Sequence, residues 1–481
     1  MPEATKVQER LFAAGEFSES TGSQLIAVEN PFDRSLIGHA PDGTADDVDR
    51  AVRAARTAFD HGPWPRLSAA ERGDWIDRLA DQLEARAGET AAFVTDEIGQ
   101  PISVARFMNG MRPVQHLRYY ARLARGLEGE QVRPNVDREG SSLHVRQPLG
   151  VAALIVPWNH PQSSTTLKLG PALAAGCTVV IKPAAESPLD IFNLAVAAQA
   201  IGLPPGVINI VSGGAETGRA LVAHPGVDKV AFTGSTAAGR HIAAAAGERL
   251  VPATLELGGK SAAIVLDDAD LDHVIASLRV ASFANTGQNC VSLSRVLAPA
   301  SRYRQIVDAL VDLARDLRMG DPQDAATEVG PLVSARALAR VSGMVEQAQG
   351  DGAVVLAGDT AAPNDLGYFF APRIITEAAP DSMIAQHEIF GPAITVHPYA
   401  DVDDAIRIAN ATRYGLGGAV FSADEDAALA VARRVRTGSI GLNGYRPDLG
   451  SPFGGVKDSG LGREFGPEAI ENYRESTSIF R

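Results

Sequence analysis

The clearest fold signal lies in residues 151–234, where short apolar runs alternate with stretches of helical periodicity. In order, these are VAALIVP (151–157), STTLKLGPALAAG (164–176), CTVVIKP (177–183), IFNLAVAAQAIG (191–202), GVINIVSG (206–213) and VDKVAFTG (227–234). Strands that alternate with helices at this spacing predict a parallel sheet with right-handed crossovers, which is a doubly wound α/β domain. Ligands of such a sheet bind beyond the carboxyl ends of its strands.

A second alternating series follows and predicts a second sheet, and therefore a second domain. It comprises SAAIVLD (261–267), RVLAPA (295–300), AVVLAG (353–358), PAITVHPY (392–399) and TGSIGLN (437–443). Ahead of both series, residues 46–120 repeat apolar positions at helical spacing, as in ERGDWIDRLADQLEARA (71–87), and predict a run of helices. The polar stretch 128–146 fits neither sheet and is typical of an extended arm.

Length and charge narrow the class of protein further. The chain has 481 residues, whereas single cores stop growing near ~250–300 residues, so we expect two large domains. A net charge of -14 disfavours nucleic acid and anionic membranes, and points to a small-molecule partner. With only two cysteines, no signal peptide in MPEATKVQERLF and no apolar run long enough for a bilayer, we expect a cytoplasmic protein without disulfides.

The strongest local signal is FANTGQNCVSLSR (283–295), in which Cys290 follows Gly, Gln and Asn beyond a helical segment. A thiol in a polar loop can approach a ligand, and nearby amides can stabilise its thiolate. The alternative is a buried structural cysteine, which is commoner for a lone cysteine. Cys177, among small and apolar residues, fits that alternative.

Two further blocks place polar groups at strand ends. In ATLELGGK (253–260), Glu256 precedes two glycines and could act as a general base, although a solvated or ion-paired carboxylate is the commoner case. In VPWNHP (156–161), Asn159 offers an NH2 donor beside a helix start, where a developing oxyanion could be stabilised. A simple N-cap is the alternative for Asn159.

Taken together, the blocks are more specific than any one of them. PWN (157–159), IKP (181–183), FTGST (232–236), ELGGK (256–260), GQNC (287–290), EIFGP (388–392) and PFGG (452–455) resemble, in this order and along nearly the whole chain, the aldehyde dehydrogenase superfamily. The resemblance is to the NAD(P)-dependent, hydrolytic branch.

The resemblance implies an α/β fold with two doubly wound parallel-sheet domains and a small oligomerisation arm. The expected boundaries are 1–126 with 147–257 for the NAD(P)-binding domain, 258–458 for the catalytic domain, and 127–146 with 472–481 for the arm. The arm and the final strand are expected to pair across subunits of a homodimer or homotetramer.

The resemblance also implies a mechanism. Cys290 attacks the aldehyde carbon, and the Asn159 side chain and the Cys290 N–H hold the oxyanion. Hydride leaves to the nicotinamide, and water activated by Glu256 hydrolyses the thioester. Lys168 and Glu464 resemble the family's proton route to Glu256. The presence of Glu256 favours hydrolysis over transfer to coenzyme A.

For the cofactor, the resemblance implies NAD and no metal. It places Lys182 on the adenosine ribose, Ser235 and the helix after it under the pyrophosphate, Glu388 on the nicotinamide ribose and Phe390 near the nicotinamide ring. The remaining expected cofactor-binding residues are Val156, Trp158, Gly213 and Leu257. One departure is Ala185, which occupies the position of a ribose-binding Glu and makes NADP admissible.

The substrate region carries the least information. One helical face after Asn159 is expected to line the substrate funnel, with His160, Ser163, Ser164 and Leu167. By resemblance, Phe453 anchors the aldehyde tail, and Arg446 is expected to be a solvent-exposed loop residue. We expect a medium-sized, mostly apolar aldehyde that is aliphatic, terpenoid or aromatic. The alternatives are a coenzyme A-acylating dehydrogenase and a catalytically silent dinucleotide-binding protein of the same fold.

Overall fold

The computed structural model describes residues 9–358 and 360–481. Residues 1–8, on which part of the prediction about the N-terminus rests, lie outside the described residues. None of the helices in the described ranges is long and apolar enough to cross a bilayer.

The strands include the predicted apolar runs and others that the runs did not indicate. They are β1 Leu11–Ala13, β2 Glu16–Ser18, β3 Leu25–Glu29, β4 Leu36–Pro41, β5 Glu130–Pro134, β6 Ser141–Pro148, β7 Val151–Ile155, β8 Thr178–Lys182, β9 Ile208–Ile210, β10 Lys229–Thr233, β11 Ala253–Glu256, β12 Ala262–Val265, β13 Arg295–Pro299, β14 Val354–Leu356, β15 Arg373–Thr376, β16 Ala393–Tyr399, β17 Gly418–Phe421, β18 Gly441–Leu442, β19 Gly460–Leu461 and β20 Arg474–Phe480.

The helices include the run predicted before residue 120. They are α1 Ala45–Asp60, α2 Ala69–Ala85, α3 Ala87–Ile98, α4 Ile102–Ala105, α5 Arg112–Arg125, α6 Pro161–Ala175, α7 Phe192–Ala200, α8 Ala215–Ala223, α9 Thr236–Glu248, α10 Leu271–Phe283, α11 Tyr303–Asp316, α12 Ala335–Gly350, α13 Met383–Gln386, α14 Val402–Asn410, α15 Glu425–Ala432 and α16 Glu468–Glu471. A π-helical turn, Arg106–Met111, joins α4 to α5, and short 3-10 turns occur at Trp64–Arg66, Ala284–Gly287 and Lys457–Ser459.

The first sheet has the strand order β19-β11-β10-β7-β8-β9-β1-β2. Its five central strands, from β11 to β9, are parallel, as the alternation of strands and helices predicts. The edge strands β1, β2 and β19 pair antiparallel, which the alternation did not indicate. β19 comes from the far end of the chain and lies against β11, which ends at Glu256.

The second sheet has the strand order β14-β15-β16-β13-β12-β17-β18. It is parallel except at β14, which pairs antiparallel with β15. Apolar clusters cover both faces of each sheet, as parallel sheets require because both of their faces are buried. The predicted pair of doubly wound sheets is therefore confirmed at its centre.

The predicted arm is a three-stranded antiparallel sheet of order β20-β6-β5. β20 pairs with β6 of the same chain over seven residues, from Arg474 opposite Pro148 to Phe480 opposite Ser142. Val132 and Phe480 are among the exposed apolar side chains of this sheet, at 61% and 70% exposure. A sheet that leaves apolar side chains in water is a surface suited to association.

Candidate active site

The candidate nucleophile follows a loop whose backbone is held in an uncommon conformation. After α10, Asn285, Thr286 and Gly287 have φ values of 54°, 57° and 69°, all in the left-handed region. For Asn and Thr this conformation is unfavourable, so surrounding contacts must impose it. Thr286 Oγ1 donates to Gly330 O at 3.1 Å, and Gly330 N donates back to Thr286 Oγ1 at 3.0 Å. Cys290 lies three residues after the last residue of this anchored turn.

Cys290 is partly exposed, in agreement with a nucleophile that meets a ligand. Burial raises the pKa of its thiol to about 12, with further contributions from Glu388 and Glu256. The N–H groups of Cys290 and Val291 lower the pKa, as the expected stabilising amides should. Burial and the two carboxylates outweigh these two N–H groups, so the thiol holds its proton at neutral pH.

Cys177 has the structural role expected for it. It is fully buried, its Sγ donates to Tyr473 O at 3.4 Å, and burial raises its pKa to about 11. A thiol without access to solvent is inert.

Asn159 lies between β7 and α6, and its side chain faces the loop of the nucleophile. Its Nδ2 donates to Gln288 O at 3.0 Å, two residues before Cys290. The backbone carbonyl oxygen of Asn159 accepts from Gln100 Nε2 at 3.2 Å and from Asn285 Nδ2 at 3.1 Å. An amide NH2 carries two N–H groups, so Asn159 can bind the loop with one and an oxyanion with the other.

Glu256 ends β11 and points into a space that Gly454 leaves open. A Cβ on Gly454 would lie 2.6 Å from Glu256 Oε1, so only glycine fits there. Glu256 is buried, and within the described residues neither of its carboxylate oxygens has a hydrogen-bond partner. Burial, followed by the charge of Glu464, raises its pKa well above the ordinary range, while Lys168 and Arg463 oppose the rise. A carboxyl group with a raised pKa is suited to accepting a proton near neutral pH.

Lys168 and Glu464 form a buried ion pair next to Glu256. Lys168 Nζ also donates to Thr233 Oγ1, at 2.7 Å, at the end of β10. The backbone of Glu464 pairs with that of Phe453 through two hydrogen bonds of 2.7 Å. Both charges of the pair act on the pKa of Glu256, so the structure brings the three sequence-predicted residues together.

The predicted cofactor residues lie where the parallel strands end. Lys182 ends β8, and Val156 follows β7 and donates its N–H to Lys182 O at 3.1 Å. Lys182 Nζ donates to Pro183 O at 2.7 Å. Burial lowers the pKa of Lys182 to about 8, and nearby Glu186 and Asp42 favour its cation.

Small residues and the N-terminus of α9 lie farther along the same edge of the sheet. Gly213 has a φ of 155°, and a Cβ there would lie 2.1 Å from Thr217 Oγ1. Ser235 caps α9 and accepts from Ala238 N at 3.3 Å. Leu257 packs so closely on α9 that a Cβ at Gly239 would lie 2.4 Å from its Cδ2. The N-terminus of α9 is thereby held at the strand ends, where it could bind an anionic group.

Glu388 and Phe390 lie across from these strand ends. Glu388 Oε1 accepts from Gly259 N at 3.0 Å, and burial raises the pKa of Glu388 to about 7. Phe390 has a φ of 54°, and its ring lies 5.5 Å from that of Trp158, edge to face at 85°. All eight predicted cofactor residues therefore lie around one edge. Among the described residues, no group of three or more His, Cys, Asp or Glu is placed to hold a metal ion.

The residues expected to line the substrate funnel divide into two groups. Ser163 and Leu167 are buried and Ser164 is half-buried, whereas His160 bonds with both ring nitrogens, to Gln100 and to Asn289. His160 is thus tied to the loop of the nucleophile as well as placed at the funnel.

At the opposite wall, the ring of Phe453 packs on that of Phe465 with centroids 5.1 Å apart, and His116 packs on Phe465 at 6.0 Å. Arg446 is exposed, as expected. Phe453 directly precedes Gly454, which faces Glu256. An apolar wall therefore lies beside the candidate base.

Comparison with known proteins agrees with this geometry. The model of the aldehyde dehydrogenase family matches residues 17–479. The chain belongs to the aldehyde dehydrogenase family. It is an enzyme that oxidises an aldehyde to the carboxylic acid, so the predicted activity is confirmed.

Individual relatives of this aldehyde dehydrogenase cover nearly the whole chain. Geranial dehydrogenase from Castellaniella defragrans is 46% identical over 473 residues, 98% of each chain. The aldehyde dehydrogenase of Mycobacterium tuberculosis complexed with NAD+ has a TM-score of 0.95 at 40% identity, covering 98% of each chain. A mutant of aldehyde dehydrogenase C from Pseudomonas syringae, complexed with NAD+ and octanal, has a TM-score of 0.94 at 36% identity, covering 99% of this chain and 97% of the other.

Sequence reasoning missed several polar residues around the site. Gln100, Asn109, Asn285 and Asn289 form hydrogen bonds that hold Asn159, His160 and the loop of the nucleophile. Asn285 and Asn289 stand inside the quoted block 283–295, so their polarity was a usable signal. Gln100 and Asn109 lie far from this block in the sequence, and nothing in the sequence around them indicated a place at the site.

Proposed function

We propose that this aldehyde dehydrogenase oxidises a medium-sized, mostly apolar aldehyde, of terpenoid, aliphatic or aromatic kind, with NAD and water. The observation that carries the proposal is the convergence of three distant residues. Asn159 contacts the loop of Cys290 through Gln288, and the charge of Glu256 reaches the Cys290 thiol. The alternatives of a catalytically silent protein and of a coenzyme A-acylating enzyme are not favoured, since nucleophile, base and oxyanion donor occur together.

The chemistry assigned to these residues starts with a proton transfer. Because the thiol pKa is about 12, a base must accept its proton as the Cys290 sulfur bonds to the aldehyde carbon, and Glu256 is placed to do so. The aldehyde oxygen then carries a negative charge, which the free N–H of Asn159 and the Cys290 backbone N–H stabilise. After oxidation, Glu256 releases the first proton to solvent and takes a proton from the water that cleaves the thioester. This second proton returns to the Cys290 sulfur as the acid leaves, so one H+ is released in each turnover.

Three observations support the binding of NAD at the ends of the parallel strands. A helix N-terminus and a buried lysine suit a pyrophosphate and ribose hydroxyls, and the glycine positions admit no side chain where a cofactor must approach the backbone. Lys182, Ser235 and Glu388 would hold it, and when bound it supplies the acceptor for the hydride. Glu186 and Asp42 surround Lys182 with negative charge, which opposes a 2′-phosphate and favours NAD over NADP despite Ala185.

The substrate class rests on the wall formed by Phe453, Phe465 and His116, which offers rings against which an apolar tail can pack. Burial lowers the pKa of His116 to about 3, so its ring is neutral at physiological pH. The Castellaniella relative is a dehydrogenase of geranial and the Pseudomonas relative binds octanal, and both aldehydes belong to the same apolar class.

A homodimer or homotetramer in the cytoplasm completes the proposal. Exposed Val132, Ile479 and Phe480 give the arm an apolar surface for a second copy. A reducing compartment keeps the Cys290 thiol free for turnover.

The test is reduction of NAD and of NADP by the purified enzyme over geranial, octanal, benzaldehyde and succinic semialdehyde. We expect the highest kcat/KM with the apolar aldehydes and NAD, no activity in Cys290→Ala, and retained activity in the matched control Cys177→Ala. Products are analysed with and without coenzyme A, and the free acid is expected in both. Activity confined to the semialdehyde, or a preference for NADP above about tenfold, would contradict the proposal.

A further inference from the structure

His160 lies in a chain of hydrogen bonds whose directions are set by the backbone at both ends. At one end, Gln162 N donates to Asn109 Oδ1 at 3.2 Å, so the Nδ2 of Asn109 is the donor toward Gln100 Oε1, at 2.8 Å. The Nε2 of Gln100 therefore donates, at 3.2 Å each, to Asn159 O and to His160 Nδ1. An amide whose oxygen already accepts must present its NH2 to the ring.

The other end fixes the second nitrogen of the ring. Asn289 Nδ2 donates to Ala284 O at 2.9 Å, so Asn289 presents its Oδ1 to His160 Nε2. His160 must therefore accept at Nδ1 and donate at Nε2, which is a single tautomer of the neutral ring. Burial lowers the pKa of His160 to about 4, in agreement with a neutral ring at physiological pH.

This chain of hydrogen bonds connects the two segments that supply the oxyanion donors, the start of α6 with Asn159 and the loop with Cys290. Gln100 holds the carbonyl of Asn159 and the ring of His160 at the start of α6, and Asn289 directly precedes the nucleophile. Asn285 Nδ2 makes a parallel contact between the loop and Asn159 O at 3.1 Å. Within the described ranges, the side chain of Asn289 bonds to the α6 side through His160 alone, so without that contact this part of the loop can shift relative to Asn159.

We propose that His160 is a positioning residue, which fixes the Cys290 N–H and the Asn159 side chain at the separation that an oxyanion needs. This inference rests on the proposed function, in which those two groups share one oxygen. His160 does not touch the reacting atoms and acts through Asn289. Because oxyanion donors act mainly on the transition state, a misplaced donor lowers kcat and leaves the aldehyde KM nearly unchanged.

The test is a double-mutant cycle with His160→Phe, Asn289→Ala and the double variant. Each single variant is expected to lower kcat about tenfold with the aldehyde KM within about twofold, and the double variant is expected to fall about tenfold as well, because both changes break one contact. His61→Phe, an exposed histidine, is the matched control and keeps the parent kcat. A double variant about a hundredfold slower, or an effect on KM alone, would overturn the proposal.

A second measurement does not depend on turnover. Amide hydrogen exchange of the peptide covering 284–291 is expected to be faster in His160→Phe and in Asn289→Ala than in the parent and in His61→Phe. Unchanged exchange in that peptide would refute the positioning role even if the enzyme proved to act on another substrate. Faster exchange in a protein that oxidises no aldehyde would instead contradict the proposed function alone.

Discussion

Replacing Glu388 by Gln should make the Cys290 thiol more reactive toward alkylating agents, although Glu388 lies outside the nucleophile loop. The pKa of Cys290 rises from 9.0 to about 12, with burial the largest cause and Glu388 the next. Glu388 is the largest cause after burial, so removing its negative charge lowers the pKa of the Cys290 thiol.

Lowering the thiol pKa by about one unit gives roughly ten times more thiolate at pH 8. The less basic thiolate is intrinsically slower by a factor of about three, because nucleophilicity falls with pKa at a slope of ~0.4–0.5. Alkylation by iodoacetamide should therefore be about threefold faster in Glu388→Gln than in the parent.

The assay follows the mass of the intact protein with time, at pH 8 and without cofactor. Cys177 is buried, so it does not contribute to the fast phase. Glu346→Gln, an exposed carboxylate on α12, is the matched control and should alkylate at the parent rate. An unchanged or slower rate in Glu388→Gln, or a parent rate that does not rise with pH between 7 and 10, would show that the reasoning about the thiol is wrong.

Four other outcomes are expected. Glu256→Gln should slow steady-state turnover by about 10²–10⁴-fold and leave little acyl-enzyme visible by mass, because neither the Cys290 thiol nor the hydrolytic water can then lose its proton to this carboxylate. In the same variant the melting temperature should rise relative to the parent, and by more at pH 8 than at pH 5. The raised pKa of Glu256 stabilises the parent fold below the unfolded pKa of 4.5, and this stability is lost as the pH rises through the folded pKa. Glutamine has no charge to bury at either pH, so the variant avoids that loss. Asn159→Ala should lower kcat by about 10²–10³-fold with little change in KM, measured in steady-state kinetics. Lys168→Met should lower the free energy of unfolding by ~3–5 kcal/mol in urea titration, because it leaves Glu464 buried and unpaired.

Much of the fold could be predicted because its signals are local. The strands at 178–182 and 229–233 each have an apolar centre of three residues, and their alternation with helices is enough to specify parallel pairing. The edge strands were not predictable, since β1 and β19 have only three and two residues and pair antiparallel through contacts made by distant parts of the chain.

The site residues were predictable as members of motifs, but their electrostatics were not. The motif around Cys290 does not reveal that burial and two carboxylates outweigh the amides that face the sulfur. His160 was assigned to the funnel because helical spacing indicates on which face of a helix a residue lies, but not which residues it contacts. Its bonds to Gln100 and Asn289 depend on segments 60 and 129 positions away.

The short strand β19 has a further consequence for how this enzyme could be taken apart. Just ahead of it, Ser459 accepts at its backbone oxygen from Leu257 N and donates its hydroxyl to Gly258 O. The same hydroxyl accepts from Gly415 N, so one residue joins the end of the first sheet to the segment that precedes β17 of the second sheet. A split enzyme, cut after position 456 and expressed as two pieces, would separate Glu464 from Lys168 and Phe465 from the rest of the apolar wall beside Glu256. Reassembly of such pieces should restore folding and catalysis in a single step rather than one after the other.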